Sequence, residues 1–176
     1  MKRINAVFFV ALLLSLFACA QQAPVSAPAV AAQSVVLLKI DGKIAAAISI
    51  TQAEWAKLPR STVAFKGHAA EASQYEGVPL KALLEKAGVL QADKPLRSAG
   101  LMQYVIVTGS DGYRVLFSIG ELDDATGATG NVLLADKVNG KPLDAKAAPL
   151  QLIVPTDKRP ARCVRMVTTI TIGTAE

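Results

Sequence analysis

Apolar residues run along this chain in short alternating or clustered stretches, and Gly, Pro, Asn and Asp punctuate them. Val35–Ile40 and Lys43–Ile50 are β-prone stretches separated by Asp41-Gly42, a strong turn signal, so a β-hairpin is expected to open the folded part. Thr51-Gln-Ala-Glu54 is a capping-box pattern. The Thr51 hydroxyl and the Glu54 carboxylate can each satisfy a backbone N–H that a first helical turn leaves open, and the helix they start must end before Pro59. Thr62–Lys66 reads as a strand and His68–Glu76 as a polar loop. Gly77-Val-Pro-Leu80 then leads into an amphipathic helix. Leu80, Leu83, Leu84 and Ala87 recur at spacings of three and four and face the core, Lys81, Glu85 and Lys86 face water, and Gly88 ends the helix.

Tyr104–Thr108 and Tyr113–Ser118, joined by Gly109-Ser-Asp-Gly112, predict a second hairpin, and Glu121–Asp124 a helical turn. Further strands are expected at Asn131–Ala135, at Leu150–Val154 before Pro155, and at Val164–Ile172, with a turn at Asn139-Gly140. Strands outnumber helices, and strands joined by tight turns pair antiparallel. The expected class is therefore α+β, with mixed, largely antiparallel sheets and a few short helices. Most strands have no helix between them, which disfavours a doubly wound nucleotide fold.

The N-terminus reads as a processing signal. Lys2 and Arg3 precede the apolar run Ala6–Ala18, broken only by Ser15, so residues 1–20 are expected to be a signal peptide. Two cleavage patterns compete there. Ala18-Cys-Ala20 fits small-x-small cleavage before Gln21, whereas Leu16-Phe-Ala-Cys19 resembles a lipobox with Cys19 acylated. Residues 21–34, QQAPVSAPAVAAQS, have the composition of a flexible tether, leaving a single domain over 35–173. The expected location is the periplasm or, through a lipid anchor on Cys19, the membrane of a bacterial envelope, where the candidate partners are an anionic small molecule and an envelope protein.

Loss of Lys2 and Arg3 would lower the formal charge of +5 by two, a mild value with dispersed basic residues that argues against nucleic acid as partner. The exception is Lys158, Arg159, Arg162 and Arg165. Arg162 and Arg165 lie three apart, so both guanidinium forks can address one small anion; a solvated basic loop is the plainer alternative. The single His and two Cys make a self-sufficient zinc site unpromising, and no phosphate loop or nucleophile elbow occurs. With Cys19 lipidated or removed, Cys163 has no disulfide partner and reads as a small buried hydrophobe or as a reactive or metal-binding thiol. Trp55 and Tyr75 read as packing residues.

Five segments in order, Tyr75–Gly88, Ser110–Tyr113, Asn139–Leu143, Pro149–Pro155 and Val164–Ile170, resemble the oxidoreductase molybdopterin-binding domain, the catalytic-domain fold of sulfite oxidases and their bacterial relatives. The resemblance covers roughly Ala32 to Gly173 and implies a molybdopterin cofactor. It also implies that Arg162 and Arg165, with Lys158, Arg159 and the loop residue His68, lie on the side of the pterin and its phosphate. The family's metal takes a thiolate about a dozen residues before the Gly-Val-Pro-Leu segment. Here that window, Ser61–Gln74, holds no Cys, so no metal ligand is assigned. Two functions remain open at this point: an exported molybdopterin-type redox domain degenerate for molybdenum ligation, and a non-catalytic ligand- or partner-binding module.

Overall fold

The structure is a computed structural model and describes residues 35–67, 70–91, 94, 96–126 and 131–176. Two five-stranded sheets share one core. The first contains β1 (Val36–Gly42), β2 (Ile48–Thr51), β5 (Gln103–Gly109), β6 (Arg114–Ser118) and β10 (Val167–Thr174), in the order β2-β1-β10-β5-β6. In the second, β3 (Ser61–Phe65), β4 (Ser73–Pro79), β7 (Leu133–Val138) and β8 (Lys141–Pro142) are neighbours in that order, and β9 (Gln151–Ile153) pairs with β7. Every pairing is antiparallel except β1 with β10. This is the mixed, largely antiparallel α+β fold that the strand pattern implied.

The helices are short. α1 (Gln52–Trp55) carries the expected capping box between Thr51 and Glu54. α2 (Leu80–Lys86) buries Leu80, Leu83 and Leu84 in the main core, beside Leu38, Ile40, Val107, Phe117 and Ile170. α3 (Ile119–Leu122) falls two residues before the predicted turn, because Ser118 and Glu121 form a second capping box. Among the described residues no helix is long and apolar enough to cross a membrane.

Two elements differ from the sequence reading. The first hairpin exists, but Asp41 and Gly42 belong to β1 and the chain turns after them. They are held by β10: Asp41 pairs with Thr171 and accepts its hydroxyl at 2.8 Å, and Gly42 lies so close to Ile172 that a Cβ would sit 2.1 Å from its carbonyl oxygen. Tertiary pairing overrides the local turn signal. The second difference is β4, which begins inside the predicted loop at Ser73; its polar residues occupy the open face of a strand zipped between β3 and β7.

Strand β7 alternates faces, and this creates a second, smaller core. Leu134 enters the main core, while Leu133 and Ala135 join Val63, Phe65 and Ile153 on the opposite face, with Tyr75 and Cys163 packed against them.

Candidate functional site

Above this small core lies a cavity of about 500 Å³, lined by Gln151 of β9 and by residues from four other parts of the chain. The end of β3 supplies Phe65, Lys66 and Gly67, and β4 supplies Tyr75. The tip of the β5–β6 hairpin adds Asp111 and Tyr113, and the segment after β9 adds Pro160, Ala161, Cys163 and Arg165. Ladder register explains the first wall. Val63 pairs with Tyr75 and Phe65 with Ser73, so the alternation that buries Val63 and Phe65 also brings Tyr75 to their face. Its ring meets that of Phe65 edge-on, with centroids 6.4 Å apart.

The opposite wall is tied down by polar contacts. Asp111 Oδ1 accepts the Tyr113 N–H at 3.0 Å, and the Tyr113 hydroxyl donates to the Ala161 carbonyl at 2.6 Å, which pins the hairpin tip to the 3-10 turn Pro160–Arg162. Arg162 anchors the far side of that turn. Its Nε and Nη2 donate to Asp157 at 2.9 and 2.7 Å, its Nη1 lies 3.3 Å from Glu121, and its guanidinium sits 4.7 Å above the Phe117 ring. Beyond the turn, Leu152 donates to the Val164 carbonyl and Val167 to that of Leu150, each at 2.8 Å, so the segment rejoins the β-structure on both sides of Arg165.

The basic residues expected at the site are thus divided. Arg165 lines the cavity. Arg162 does not: its fork is occupied by Asp157 and Glu121, and that pairing holds the guanidinium even further above its ordinary range, as a permanent cation inside a salt bridge. Lys158 and Arg159 are exposed on the loop before the turn, away from the cavity lining. His68 and Cys19 lie outside the described residues. In place of Arg162 the fold puts Lys66 in the same cavity lining as Arg165, and neither has a carboxylate partner among the described residues. Sequence reasoning missed Lys66, although its place at the end of a predicted strand was a usable signal.

Cys163, some hundred residues from the window that lacks a thiol, nonetheless shares a cavity with Phe65–Gly67 of that window. Its thiol is half-buried, and burial pushes its pKa up, against a hydrogen bond from the Val154 backbone that pulls the other way. Burial likewise raises the Tyr75 phenol, with smaller contributions from Cys163 and Asp144. Both groups are therefore neutral at pH 7. A second cavity of about 460 Å³ adjoins across Tyr75 and Gln151, walled by Pro142, Leu143 and Ala147.

A fold of two packed sheets with a cation-rimmed cavity between strand ends now has a family. Residues 26–176 match the family model described as the oxidoreductase molybdopterin binding domain, and the chain belongs to that family. Among solved structures it is similar to the sulfane dehydrogenase SoxCD from Paracoccus pantotrophus, with a TM-score of 0.60 and 21% identity over 79% of this chain and 38% of that one. At that identity the likeness shows the fold, and this chain spans well under half of the other's length. No curated protein matches the chain.

The cavity can be tested against the family's cofactor by its donor set. For the anionic pterin phosphate it fits: Lys66 and Arg165 offer positive charge without a carboxylate partner among the described residues, the one lining carboxylate, Asp111, accepts the Tyr113 N–H, and Tyr75 and Tyr113 offer aromatic walls. For the metal the fit is poor. Cys163 is the one sulfur at the cavity among the described residues, it lies outside the window Ser61–Gln74 where the resemblance places the family's thiolate, and burial disfavours its thiolate.

Proposed function

We propose that the cavity between Phe65–Gly67, Tyr75, Tyr113 and Arg165 binds an anion of the pterin class and that the domain is degenerate for molybdenum ligation. The observation that carries this reading is that two cations without a carboxylate partner among the described residues, Lys66 and Arg165, line one cavity, while the window Ser61–Gln74 holds no Cys. Lys66 and Arg165 would hold the phosphate, and the two phenols would flank the ring. When bound with its metal, the family's cofactor supplies oxygen-atom or hydride transfer; this chain's residues account for binding and orientation.

The sequence signals at residues 1–34 support an envelope location for the domain, either free in the periplasm or tethered through an acylated Cys19. A second reading, a cofactor-free module that binds another small anion or an envelope protein, is favoured by the lack of a Cys in the window Ser61–Gln74.

The test is elemental analysis for molybdenum and tungsten, with oxidised-pterin fluorescence, on mature protein purified from its own envelope. The expected result is pterin without stoichiometric metal in the wild type, and loss of the pterin in Lys66→Ala/Arg165→Ala. Near-stoichiometric metal would overturn the degeneracy. Absence of pterin from a folded wild type would overturn the ligand class and leave the cofactor-free module.

A further inference from the structure

Strand β6 closes one side of its sheet, and its outer edge has no strand partner among the described residues. The register with β5 decides which backbone groups point outward. The Gly109 N–H donates to the Tyr113 carbonyl at 2.9 Å, and the pairs continue as Thr108 with Arg114, Val107 with Val115, Ile106 with Leu116 and Val105 with Phe117. Bonded and non-bonded pairs alternate in an antiparallel ladder. Val115 and Phe117 therefore bond inward to β5, whereas Arg114 and Leu116 turn their N–H and C=O groups outward. At the next outward residue, Ser118, the N–H is already taken by Glu121 Oε1, so Leu116 is the centre of the open stretch.

The usual protections of a sheet edge are missing here. β6 contains no Pro, no bulge interrupts its pairing, and its one charged residue, Arg114, lies at the end. The face beside the edge is apolar as well. Leu116 is 56% exposed, next to Ile106 on the same face, and Leu101 and Met102, at the turn leading into β5, are 45% and 48% exposed. Further across, this face turns polar: Thr171 lies beside Ile106, and then comes Asp41, bonded to Thr171 and Lys39. Leu116, Leu101 and Met102 thus put exposed apolar surface near the unpaired edge; the other exposed aliphatic residues, Val35 and Val36, lie at the start of β1.

We propose that β6 is the dimer interface of this protein, with a second copy adding its own β6 antiparallel about a two-fold axis through Leu116. Self-pairing in that register is fully complementary at its centre, while each Arg114–Ser118 pair keeps one of its two backbone hydrogen bonds, since Glu121 holds the Ser118 N–H. Leu116 meets Leu116 of the other copy, with the outward N–H and C=O groups of both exchanging two hydrogen bonds; Val115 meets Phe117, and Arg114 meets the neutral Ser118. No like charges oppose each other, and the two five-stranded sheets become continuous. The proposal is independent of the ligand cavity.

The experiment is sedimentation velocity on the mature chain carrying Cys19→Ser, so that no acyl group contributes, across a dilution series. A dimer is expected, and Leu116→Lys, at an exposed position that leaves the core untouched, should weaken it by about tenfold or more, with an unchanged melting temperature at dilutions where both chains are monomeric. Directly opposed residues of a bonded pair have Cα atoms about 5.5 Å apart, within disulfide reach. Leu116→Cys in a Cys163→Ser background should therefore oxidise to a covalent dimer. A chain that is monomeric throughout would overturn the proposal, as would a dimer indifferent to Leu116→Lys or a failure of Leu116→Cys to cross-link.

Discussion

Replacing Arg162 by Ala separates two roles for this residue: a direct anion ligand, as expected from its spacing to Arg165, and a strap that holds the cavity wall. In the structure its fork grips Asp157 through two short hydrogen bonds, and the two side chains are 30% and 18% exposed. Hydrogen bonds to charged groups contribute about 1.5–3 kcal/mol when shielded, and fully exposed ion pairs about 1 kcal/mol at most, so this half-shielded pair lies between. The Phe117 ring beneath the guanidinium adds about 0.5–1 kcal/mol. Arg162→Ala should therefore cost about 2–3 kcal/mol, or roughly 5–10 °C in melting temperature for a chain of this size. Arg162→Lys keeps the charge but loses the fork, and about half of the loss should return. Urea unfolding reads this directly, because Trp55 is the single tryptophan and is buried. A loosened wall should also let Cys163 react faster with a thiol reagent. If Arg162→Ala stays within about 0.5 kcal/mol of wild type yet loses its bound anion, the strap reading is wrong and Arg162 faces the ligand.

Two further outcomes follow from the other side of the molecule. Burial alone would raise the Asp136 carboxyl, but hydrogen bonds from Arg60 at 2.6 and 2.9 Å and from Trp55 at 2.7 Å outweigh it and set the pKa below the ordinary carboxylate value. A carboxyl depressed on folding stabilises the protein at neutral pH and loses that contribution as pH falls below about 4. Asp136→Asn should accordingly lower stability at pH 7 by about 1–3 kcal/mol and flatten the acid limb of a plot of urea midpoint against pH; an unchanged acid limb would refute the assignment. Gly77→Ala would place a Cβ 1.9 Å from the Leu134 carbonyl oxygen and 2.5 Å from the Ala135 Cα, both backbone atoms that cannot step aside. The substitution must part β4 from β7, and circular dichroism should show a loss of folded protein or of at least about 3 kcal/mol; near-wild-type melting would refute the register drawn here.

Much of this protein could be read locally. The capping box at Thr51, the Leu80–Leu84 stripe of α2 and the Tyr104–Ser118 hairpin are each specified by residues within a few positions of one another, so their periodicity and turn chemistry were legible in the chain. The family was legible for a related reason: five such local segments stood in one order. Long-range pairing decided the rest. Asp41-Gly42 has turn chemistry, yet β10 claims both residues from more than a hundred positions away, and the polar run before Gly77 is a strand because β3 and β7 lie on either side of it. The site divides in the same way. Arg162 and Arg165 are equivalent in spacing and charge, and only the folded positions of Asp157 and Glu121 commit one to a salt bridge and leave the other at the cavity. Lys66 and Cys163 are far apart in sequence and share one wall-to-wall cavity, because contacts between distant residues are set by strand pairing and packing, which no local pattern records.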